Sequence, residues 1–341
     1  MEKRVLVDAY LENNLGDDLF IKILLERYPS VQFDFINSVD SKILDQYNNA
    51  HSVEMKLVRF FRRDYISSYT SYIIIGGSMF QQKGKWLKLY ISRLLKNILL
   101  KRSHINIQYL GFNFGPVKTK LFLKLYKILF LKTVDNISVR DQFSKDTLGI
   151  GSLYKDIVFS LDTDQFLNKK VPNSIGITVM NFRDDVEKTK LYTKKIVDFI
   201  NQVPSNYKVN IYGFQSDGKI NDSTVIQEIL ARTTSNVNAK QYIGDINEFL
   251  TDYFSNEFYI TTRFHSLVLA LLVQGNVRIV SYADKVENLV NDLNIQQNLI
   301  DIEKDNLTSE IFNKSGTTNI NLKELKKDAE KHFNKLDRIL G

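Results

Sequence analysis

Cysteine is absent from this chain of 341 residues, and with it several classes of functional site. There can be no disulfide scaffold, iron–sulfur cluster, zinc–thiolate site or cysteine nucleophile, and the composition fits a reducing compartment. The four histidines (His51, His104, His265 and His332) are widely scattered, and no pair has the spacing of metal ligands. We therefore expect no metal site and no bound cofactor.

Long apolar runs and a signal sequence are also missing. The N-terminus runs directly into the strand-like segment Val5-Leu6-Val7, without a signal peptide. No uninterrupted apolar run is long enough to span a bilayer. These absences predict a cytoplasmic protein.

Acidic residues are missing from one long stretch. Residues 65–134 contain no aspartate or glutamate but twelve lysines and arginines, whereas the formal net charge of the whole chain is only +7. Two helices predicted in this stretch, at residues 86–101 and 118–132, can be interpreted in two ways. They either pack on a sheet with their lysine ammonium groups in water, or form a basic face for an anionic membrane surface or a lipid diphosphate. We expect a mixture, with one face in the core and the other binding anions. No motif for nucleic-acid binding accompanies the patch.

Strand-like and helical segments alternate along both halves of the chain. Apolar, β-branched runs predict strands at residues 4–8, 31–36, 72–75, 105–110, 136–139, 156–161, 174–180, 208–212, 258–261 and 277–280. The alternation predicts an α/β protein with two Rossmann-like, doubly wound domains facing across a cleft. We place these domains at residues 1–165 and 173–320, followed by a C-terminal helix at residues 321–341. The first turn lacks Gly-x-Gly-x-x-Gly, so dinucleotide binding is not indicated.

Cationic side chains follow three of the predicted strands. Arg263 and His265 lie where the strand 258–261 passes into a helix, and Arg140 and Lys285 follow two other strands. In open α/β sheets, ligands bind at the carboxyl ends of strands, against helix N-termini. Arginine offers a planar fork to a carboxylate or phosphate, and histidine can move a proton near neutral pH. The alternative is a surface arginine and a histidine that merely caps a helix.

Short motifs occur in a fixed order over most of the chain. They are Asn-Leu-Gly-Asp (14–17), Ile-Ile-Ile-Gly-Gly-Ser (73–78), Gly-x-x-x-Gly-Pro (111–116), Ser-Val-Arg-Asp-x-x-Ser (138–144), Arg-Phe-His-Ser-Leu (263–267) and Ser-Tyr-Ala-Asp-Lys (281–285). In these motifs the chain resembles the polysaccharide pyruvyl transferase family.

The resemblance implies a fold similar to the GT-B glycosyltransferases, with phosphoenolpyruvate as the donor. It implies transfer of pyruvate to a hexose, of galactose type by family frequency, in a cell-surface polysaccharide or its polyprenyl-diphosphate-linked precursor. The product is a cyclic ketal, and no metal is required. The same resemblance implies that Arg263 contacts the donor and that His265 is the acid/base. It further implies a substrate-binding role for Arg140. We expect Lys285, Asn14, Asp17, Gly76, Gly77, Ser78 and Tyr282 to bind substrate as well.

Two other functions stay open at this stage. One is a glycosyltransferase that uses a nucleotide sugar, for which Glu287 is the candidate ribose-binding residue. The other is a non-catalytic scaffold of a polysaccharide assembly complex, docked through the basic face. The protein itself is expected in the cytoplasm, peripherally bound at the inner face of the cell membrane.

Overall fold

The computed structural model describes residues 3–36, 41–166, 169–182, 185–216, 221–234, 236–281, 283–302, 304–305, 307 and 320–341. They form two compact units. The first unit comprises Met1–Leu11, Asp17–Ser160 and Lys323–Gly341, and the second comprises Glu12–Gly16 and Leu161–Leu322. Each unit therefore includes a segment that is distant in sequence from the rest of it.

The first unit is built on a parallel sheet of seven strands in the order β3-β2-β1-β4-β5-β6-β7. The strands are β1 (Arg4–Asp8), β2 (Gln32–Ile36), β3 (Ala50–Val53), β4 (Ser71–Ile75), β5 (Asn106–Phe112), β6 (Asn136–Val139) and β7 (Ser152–Leu153). The helices between them are α1 (Leu15–Arg27), α2 (Arg63–Ile66), α3 (Trp86–Arg102), α4 (Lys120–Thr133) and α5 (Gln142–Leu148). The central strands are buried on both faces, which explains their nearly continuous apolar sequences.

The second unit has a parallel sheet of six strands in the order β10-β9-β8-β11-β12-β13. These are β8 (Ser174–Val179), β9 (Lys208–Gly213), β10 (Val237–Gln241), β11 (Phe258–Thr261), β12 (Asn276–Val280) and β13 (Leu299–Ile300). Its helices are α6 (Val186–Gln202), α7 (Ser223–Arg232), α8 (Ile246–Phe254), α9 (Phe264–Leu272) and α10 (Asp284–Asp292). The order corresponds to the 3-2-1-4-5-6 arrangement of the doubly wound fold, so the predicted fold class is confirmed.

The C-terminal segment joins the first unit. It forms α11 (Leu322–Glu330) and α12 (Asn334–Leu340), with a 3-10 turn at Lys331–Phe333 between them. The fully buried His332 connects this turn to the sheet, because its Nδ1 lies 2.7 Å from Oγ of Ser138 and its Nε2 lies 2.9 Å from the carbonyl oxygen of Lys155.

One predicted strand is wrong. The apolar run at residues 156–161 contains a 3-10 helix, Ile157–Ser160, although its apolar side chains are buried as expected. The Asp156 carboxylate accepts a hydrogen bond from the Val158 N–H at 2.9 Å, and the Asp156 carbonyl accepts one from the Phe159 N–H at 3.0 Å. These two bonds turn the backbone immediately after Asp156 and so prevent an extended strand.

Candidate active site

The second sheet reverses its strand order between β8 and β11, and Arg263 lies beside this point. It lies two residues after the end of β11 and immediately precedes α9. In doubly wound folds the crevice at such a switch point, outside the carboxyl ends of the strands, is the usual ligand site. The position predicted for Arg263 from the sequence is therefore the position that it takes in the structure.

A buried carboxylate fixes the Arg263 guanidinium. Nη2 of Arg263 donates a hydrogen bond to Oδ1 of Asp222 at 2.5 Å, and the Asp222 side chain is completely buried. The Arg263 side chain is 12% exposed, and its buried Nε has no hydrogen-bond partner among the residues that the structure describes. One edge of the guanidinium is thus held by protein while part of the group remains accessible, which suits an anion-binding side chain.

Asp222 also organises the backbone around Arg263. Its Oδ2 accepts hydrogen bonds from the N–H groups of Phe214 and Gln215, each at 3.0 Å. Its Oδ1 accepts one from the N–H of Asn181 at 3.3 Å. These donors belong to the segments that follow β9 and β8, so a single carboxylate joins two strand-end segments to Arg263.

His265 lies in the first turn of α9, partly exposed, with its ring against Gly16. A Cβ atom added to Gly16 would lie only 1.8 Å from Nδ1 of His265. No side chain larger than hydrogen fits there unless the ring is displaced, so Gly16 allows the imidazole ring to approach the backbone. On its other side the ring packs edge-on against Phe264, with the two ring centroids 5.1 Å apart.

The segment that carries Gly16 is fastened to the second unit. Nδ2 of Asn14 donates to Oε1 of Gln215 at 3.1 Å, and Oδ1 of Asn14 accepts the N–H of Gly16 at 3.0 Å. The Leu15 N–H donates to the Phe214 carbonyl at 3.0 Å. Asn14 therefore shapes the turn that places Gly16 beside His265, and the 14–17 and 263–267 motifs meet here.

Lys285 occupies the same edge of the second sheet, one strand further on. It is the second residue of α10 and is half-buried, whereas β12 ends at Val280. Tyr282 lies outside the residues that the structure describes. Glu287, the candidate ribose ligand, accepts a hydrogen bond from Oγ of Ser281 at 2.8 Å.

Arg140 follows β6 in the first unit and is almost completely enclosed. Its Nη1 donates to Oδ2 of Asp156 at 2.7 Å and its Nη2 donates to Oδ1 of Asn113 at 3.2 Å. The side chains of Arg140 and Asp156 are only 2% and 1% exposed. Burial raises the pKa of Asp156 above its ordinary value, and the Arg140 guanidinium reduces that rise without cancelling it.

One of the two predicted glycines of the first unit contacts this ion pair, and the other lies near Asp17. A Cβ on Gly77 would lie 2.6 Å from Nη2 of Arg140, so the guanidinium lies directly on the Gly77 backbone. Gly76 has φ +139°, a conformation that side-chain-bearing residues rarely adopt, and a Cβ there would lie 4.0 Å from Oδ1 of Asp17. Oγ of Ser78 donates to Oδ1 of Asn113 at 3.3 Å.

The predicted residues therefore form two groups, each at the carboxyl edge of its own sheet. One group holds Asn14, Arg263 and His265 in the second unit, with Lys285 one strand further on. The other holds Asp17, Gly76, Gly77, Ser78 and Arg140 in the first unit. Among the described residues, no three histidine, aspartate or glutamate side chains are placed to hold a metal ion.

Sequence reasoning missed Asp222. An aspartate immediately before a helix is ordinarily assigned to N-capping, and Asp222 does precede α7. Its side chain, however, makes no capping hydrogen bond there and binds Arg263 instead. The available signal was the position of Asp222 shortly after β9, at the same sheet edge as Arg263.

Comparison with protein families gives one match. The model of the family described as polysaccharide pyruvyl transferase matches residues 14–284, which includes every predicted site residue except Lys285. No curated protein gives a significant match.

Solved structures resemble the whole chain at low sequence identity. The UDP-GlcNAc 2-epimerase from Methanocaldococcus jannaschii has a TM-score of 0.63 at 11% identity, covering 99% of this chain and 100% of that one. A putative UDP-N-acetylglucosamine 2-epimerase from Listeria monocytogenes has a TM-score of 0.62 at 10% identity, with 99% and 98% covered. Anabaena HepE in complex with UDP-glucose has a TM-score of 0.59 at 10% identity, with 100% and 98% covered. These similarities show a GT-B-like fold.

Proposed function

The chain belongs to the polysaccharide pyruvyl transferase family, and from that premise we propose that it transfers pyruvate from phosphoenolpyruvate to a hexose. The acceptor is a galactose-type residue of a cell-surface polysaccharide or its polyprenyl-diphosphate-linked precursor. The product is a cyclic ketal, and phosphate is released. The observation that carries this proposal is the arrangement of Arg263 on Asp222 beside His265 on Gly16.

The charge of the donor explains the cations at this edge. Phosphoenolpyruvate carries a carboxylate and a phosphate, so a binding site must supply several positive groups. Arg263 uses Nη2 for Asp222 while its side chain remains 12% exposed, and Lys285 follows the neighbouring strand. Because Asp222 holds the guanidinium in one orientation, Arg263 is already placed for the anion before the donor binds.

His265 is the proposed acid/base. Ketal formation requires a proton on C3 of the donor and attack of one sugar hydroxyl on C2. Phosphate then leaves, and the second hydroxyl attacks the same carbon. Of the two hydroxyl protons, one ends on C3 and the other on the released phosphate. A positioned imidazole can carry both transfers and contributes typically about 10²–10⁴-fold to the rate.

Arg263 and Lys285 stabilise the charge that develops on the departing phosphate. Arg140 has a different role in this proposal. Its guanidinium already binds Asp156 and Asn113 in a buried position, so it supports the glycine segment after β4. That segment, with Ser78 and Asp17, is proposed to meet the acceptor.

The test is phosphate release from phosphoenolpyruvate with galactosides, mannosides and N-acetylmannosaminides, both free and lipid-linked. We expect wild-type protein to release phosphate with one acceptor, and His265→Ala to lose about 10²–10⁴-fold of that rate. The matched control is His51→Ala, because His51 is exposed on β3, at the edge of the first sheet. Thermal stabilisation by phosphoenolpyruvate should persist in His265→Ala and disappear in Arg263→Met.

Two other sets of results would each replace the proposed function with an alternative. The structural relatives include proteins whose structures contain UDP or UDP-glucose. If no acceptor supports phosphate release, while UDP or GDP stabilises the chain and phosphoenolpyruvate does not, the protein is a nucleotide-sugar glycosyltransferase. If neither class of ligand stabilises it and His265→Ala leaves its cellular function intact, the scaffold hypothesis replaces both.

A further inference from the structure

Exposed hydrophobic side chains are concentrated on one part of the first unit. Among the described residues, sixteen large hydrophobic side chains are exposed, and ten of them lie on α3, α4 and a neighbouring 3-10 helix, Leu57–Phe61. Scattered apolar residues on a surface need no explanation, whereas a concentrated set marks an interaction site. The ten are Leu57, Val58, Phe61, Leu87, Leu89, Ile91, Leu95, Leu121, Ile128 and Leu131.

The spacing of these residues shows that they share helix faces. On α3, Leu87, Ile91 and Leu95 are four residues apart, and on α4, Leu121, Ile128 and Leu131 follow helical spacing. The opposite faces of both helices are buried through residues such as Tyr90 and Tyr126. We call the exposed side the outer face of α3 and α4.

The two helices pack against each other, so their exposed sides form one surface. Nδ2 of Asn97 donates to Oγ1 of Thr133 at 2.8 Å, and Nη1 of Arg93 donates to the Tyr126 hydroxyl at 3.2 Å. The Trp86 and Phe122 rings meet edge-on, with centroids 5.2 Å apart. These contacts join the two helices at three points, from Trp86 in the first turn of α3 to Thr133 at the end of α4.

Lysines are interspersed with the apolar side chains of the outer face. Exposed lysines on these helices are Lys88, Lys120, Lys124 and Lys132, and residues 65–134 contain no acidic residue at all. Other cations of the stretch are used internally. Arg93 donates to the Met79 carbonyl at 2.9 Å, and Lys96 donates to Asp8 at 3.0 Å. The basic residues of this stretch thus fall into two sets: those that bind groups within the first unit and those exposed on the outer face.

We propose that the outer face of α3 and α4 docks onto an anionic phospholipid bilayer. Aliphatic side chains ringed by lysines match the boundary between acyl chains and headgroups, where the lysine stems lie along apolar surface and their ammonium groups meet phosphates. A second copy of this chain would bring the same lysines face to face, with no carboxylate in residues 65–134 to balance them. A nucleic acid would bind the lysines through its phosphates, but it would not bury the exposed leucine and isoleucine side chains.

This docking does not depend on the proposed reaction. Within the described part of the chain, no helix is long and apolar enough to cross a bilayer. Binding would therefore take place at the membrane surface. The electrostatic contribution of the lysines and the apolar contribution of the leucine and isoleucine side chains can be measured separately by mutation. Each exposed lysine near an anionic surface adds about 1 kcal/mol, or roughly fivefold in partitioning.

The experiment is co-sedimentation of the full chain with vesicles of pure phosphatidylcholine or of phosphatidylcholine with phosphatidylglycerol. We expect binding to the anionic vesicles, weakening at high salt, and little binding to the neutral ones. Leu121→Gln/Ile128→Gln/Leu131→Gln should reduce partitioning at least tenfold, and so should Lys120→Gln/Lys124→Gln/Lys132→Gln.

The matched control is Val186→Gln/Ile243→Gln in the second unit. Val186 and Ile243 are 58% and 60% exposed, comparable to 57% for Leu121 and 65% for Leu131. This variant should bind like wild type, and circular dichroism should show that all variants are folded.

Three results would overturn the proposal. The first is no binding to anionic vesicles. The second is binding that survives the Leu/Ile variant and is displaced by RNA, which would identify a general polyanion surface. The third is a wild-type dimer that the Leu/Ile variant makes monomeric, which would assign the face to a second copy of the chain.

Discussion

Arg140 and Arg263 occupy comparable places in the two units, since each follows a parallel strand and binds a buried aspartate. Their remaining surroundings differ. Arg140 uses Nη1 for Asp156 and Nη2 for Asn113, and its side chain is 2% exposed. Arg263 binds Asp222, and its side chain is six times as exposed, at 12%. The same residue type at a strand end thus serves as framework in one unit and as a candidate ligand in the other.

The neighbours of Arg140 support its framework role. Asp141 caps α5 by accepting the Ser144 N–H at 2.7 Å, and the Ser144 hydroxyl accepts the Phe114 N–H at 2.7 Å. Ser138 contacts the buried His332. In the 138–144 motif, the named polar side chains mostly hold segments of the first unit together. A motif shared with an enzyme family can therefore mark structural side chains as well as those that meet the substrate.

The largest expected difference between Arg140 and Arg263 is in their contributions to stability. Replacing each arginine with methionine measures this difference. Arg140→Met leaves the Asp156 carboxyl buried without its cation, so we expect a loss of about 3–5 kcal/mol in the free energy of unfolding. Arg263→Met should cost only about 1–2 kcal/mol, because Asp222 keeps three backbone N–H donors. Urea-induced unfolding measures both values. Equal losses would show that the two arginines have the same structural role.

A second prediction concerns the pH dependence of the first unit. Burial lowers the pKa of His332 to about 4, from an ordinary value near 6.5. Between pH ~6.5 and ~4 the unfolded chain binds a proton that the folded chain does not. The contribution of His332 to stability is therefore complete above pH ~6.5 and falls as the pH is lowered to about 4, by roughly 3 kcal/mol.

His332→Gln removes this titration, so its unfolding free energy should change less between pH 7 and pH 4 than that of wild type. His51→Gln is the control, because His51 is exposed. Unfolding in urea at a series of pH values provides the measurement. A wild-type pH dependence in His332→Gln would assign the acid sensitivity to other groups.

The third prediction adds one methyl group to each unit. In Gly77→Ala the new Cβ meets the enclosed Arg140 guanidinium at 2.6 Å, so we expect a loss of about 1–3 kcal/mol in stability. In Gly16→Ala it meets the partly exposed His265 ring, which can move aside. We expect little change in stability but a loss of about 10–100-fold in phosphate release. Gly77→Ala should therefore lower stability, and Gly16→Ala should lower phosphate release. If both substitutions act only on stability, a catalytic role for His265 is contradicted.

The sequence predicts the inner strands well because their burial on both faces demands continuous apolar runs. β1, β6 and β11 begin and end where the patterns place them. The missed strands β3, β7, β10 and β13 all lie at the edges of their sheets. In β3 and β10, exposed polar residues such as His51 and Asn238 break the apolar pattern. Edge strands are defined by their pairing partner and carry a weaker sequence signal.

The placement of the candidate site residues was predictable where a local pattern exists and unpredictable where the contact is distant. Arg263 and His265 follow from a strand that passes into a helix. No local pattern shows that Asn14 pairs with Gln215, which is 201 positions away. For the same reason the contact of Gly16 with His265 was not foreseen. Asp222 was missed because the capping role that its position indicates is not the role it performs.

The exchange of segments between the units has a consequence for synthesis on the ribosome. Domains usually fold as they emerge, the N-terminal one first. Here the first unit includes Lys323–Gly341, whose Phe333 and Leu336 are completely buried. The second unit needs only Glu12–Gly16 from upstream, so nearly all of its residues are available earlier. The part of the chain that is translated first is thus the part that finishes folding last, and during elongation its core remains open to chaperones.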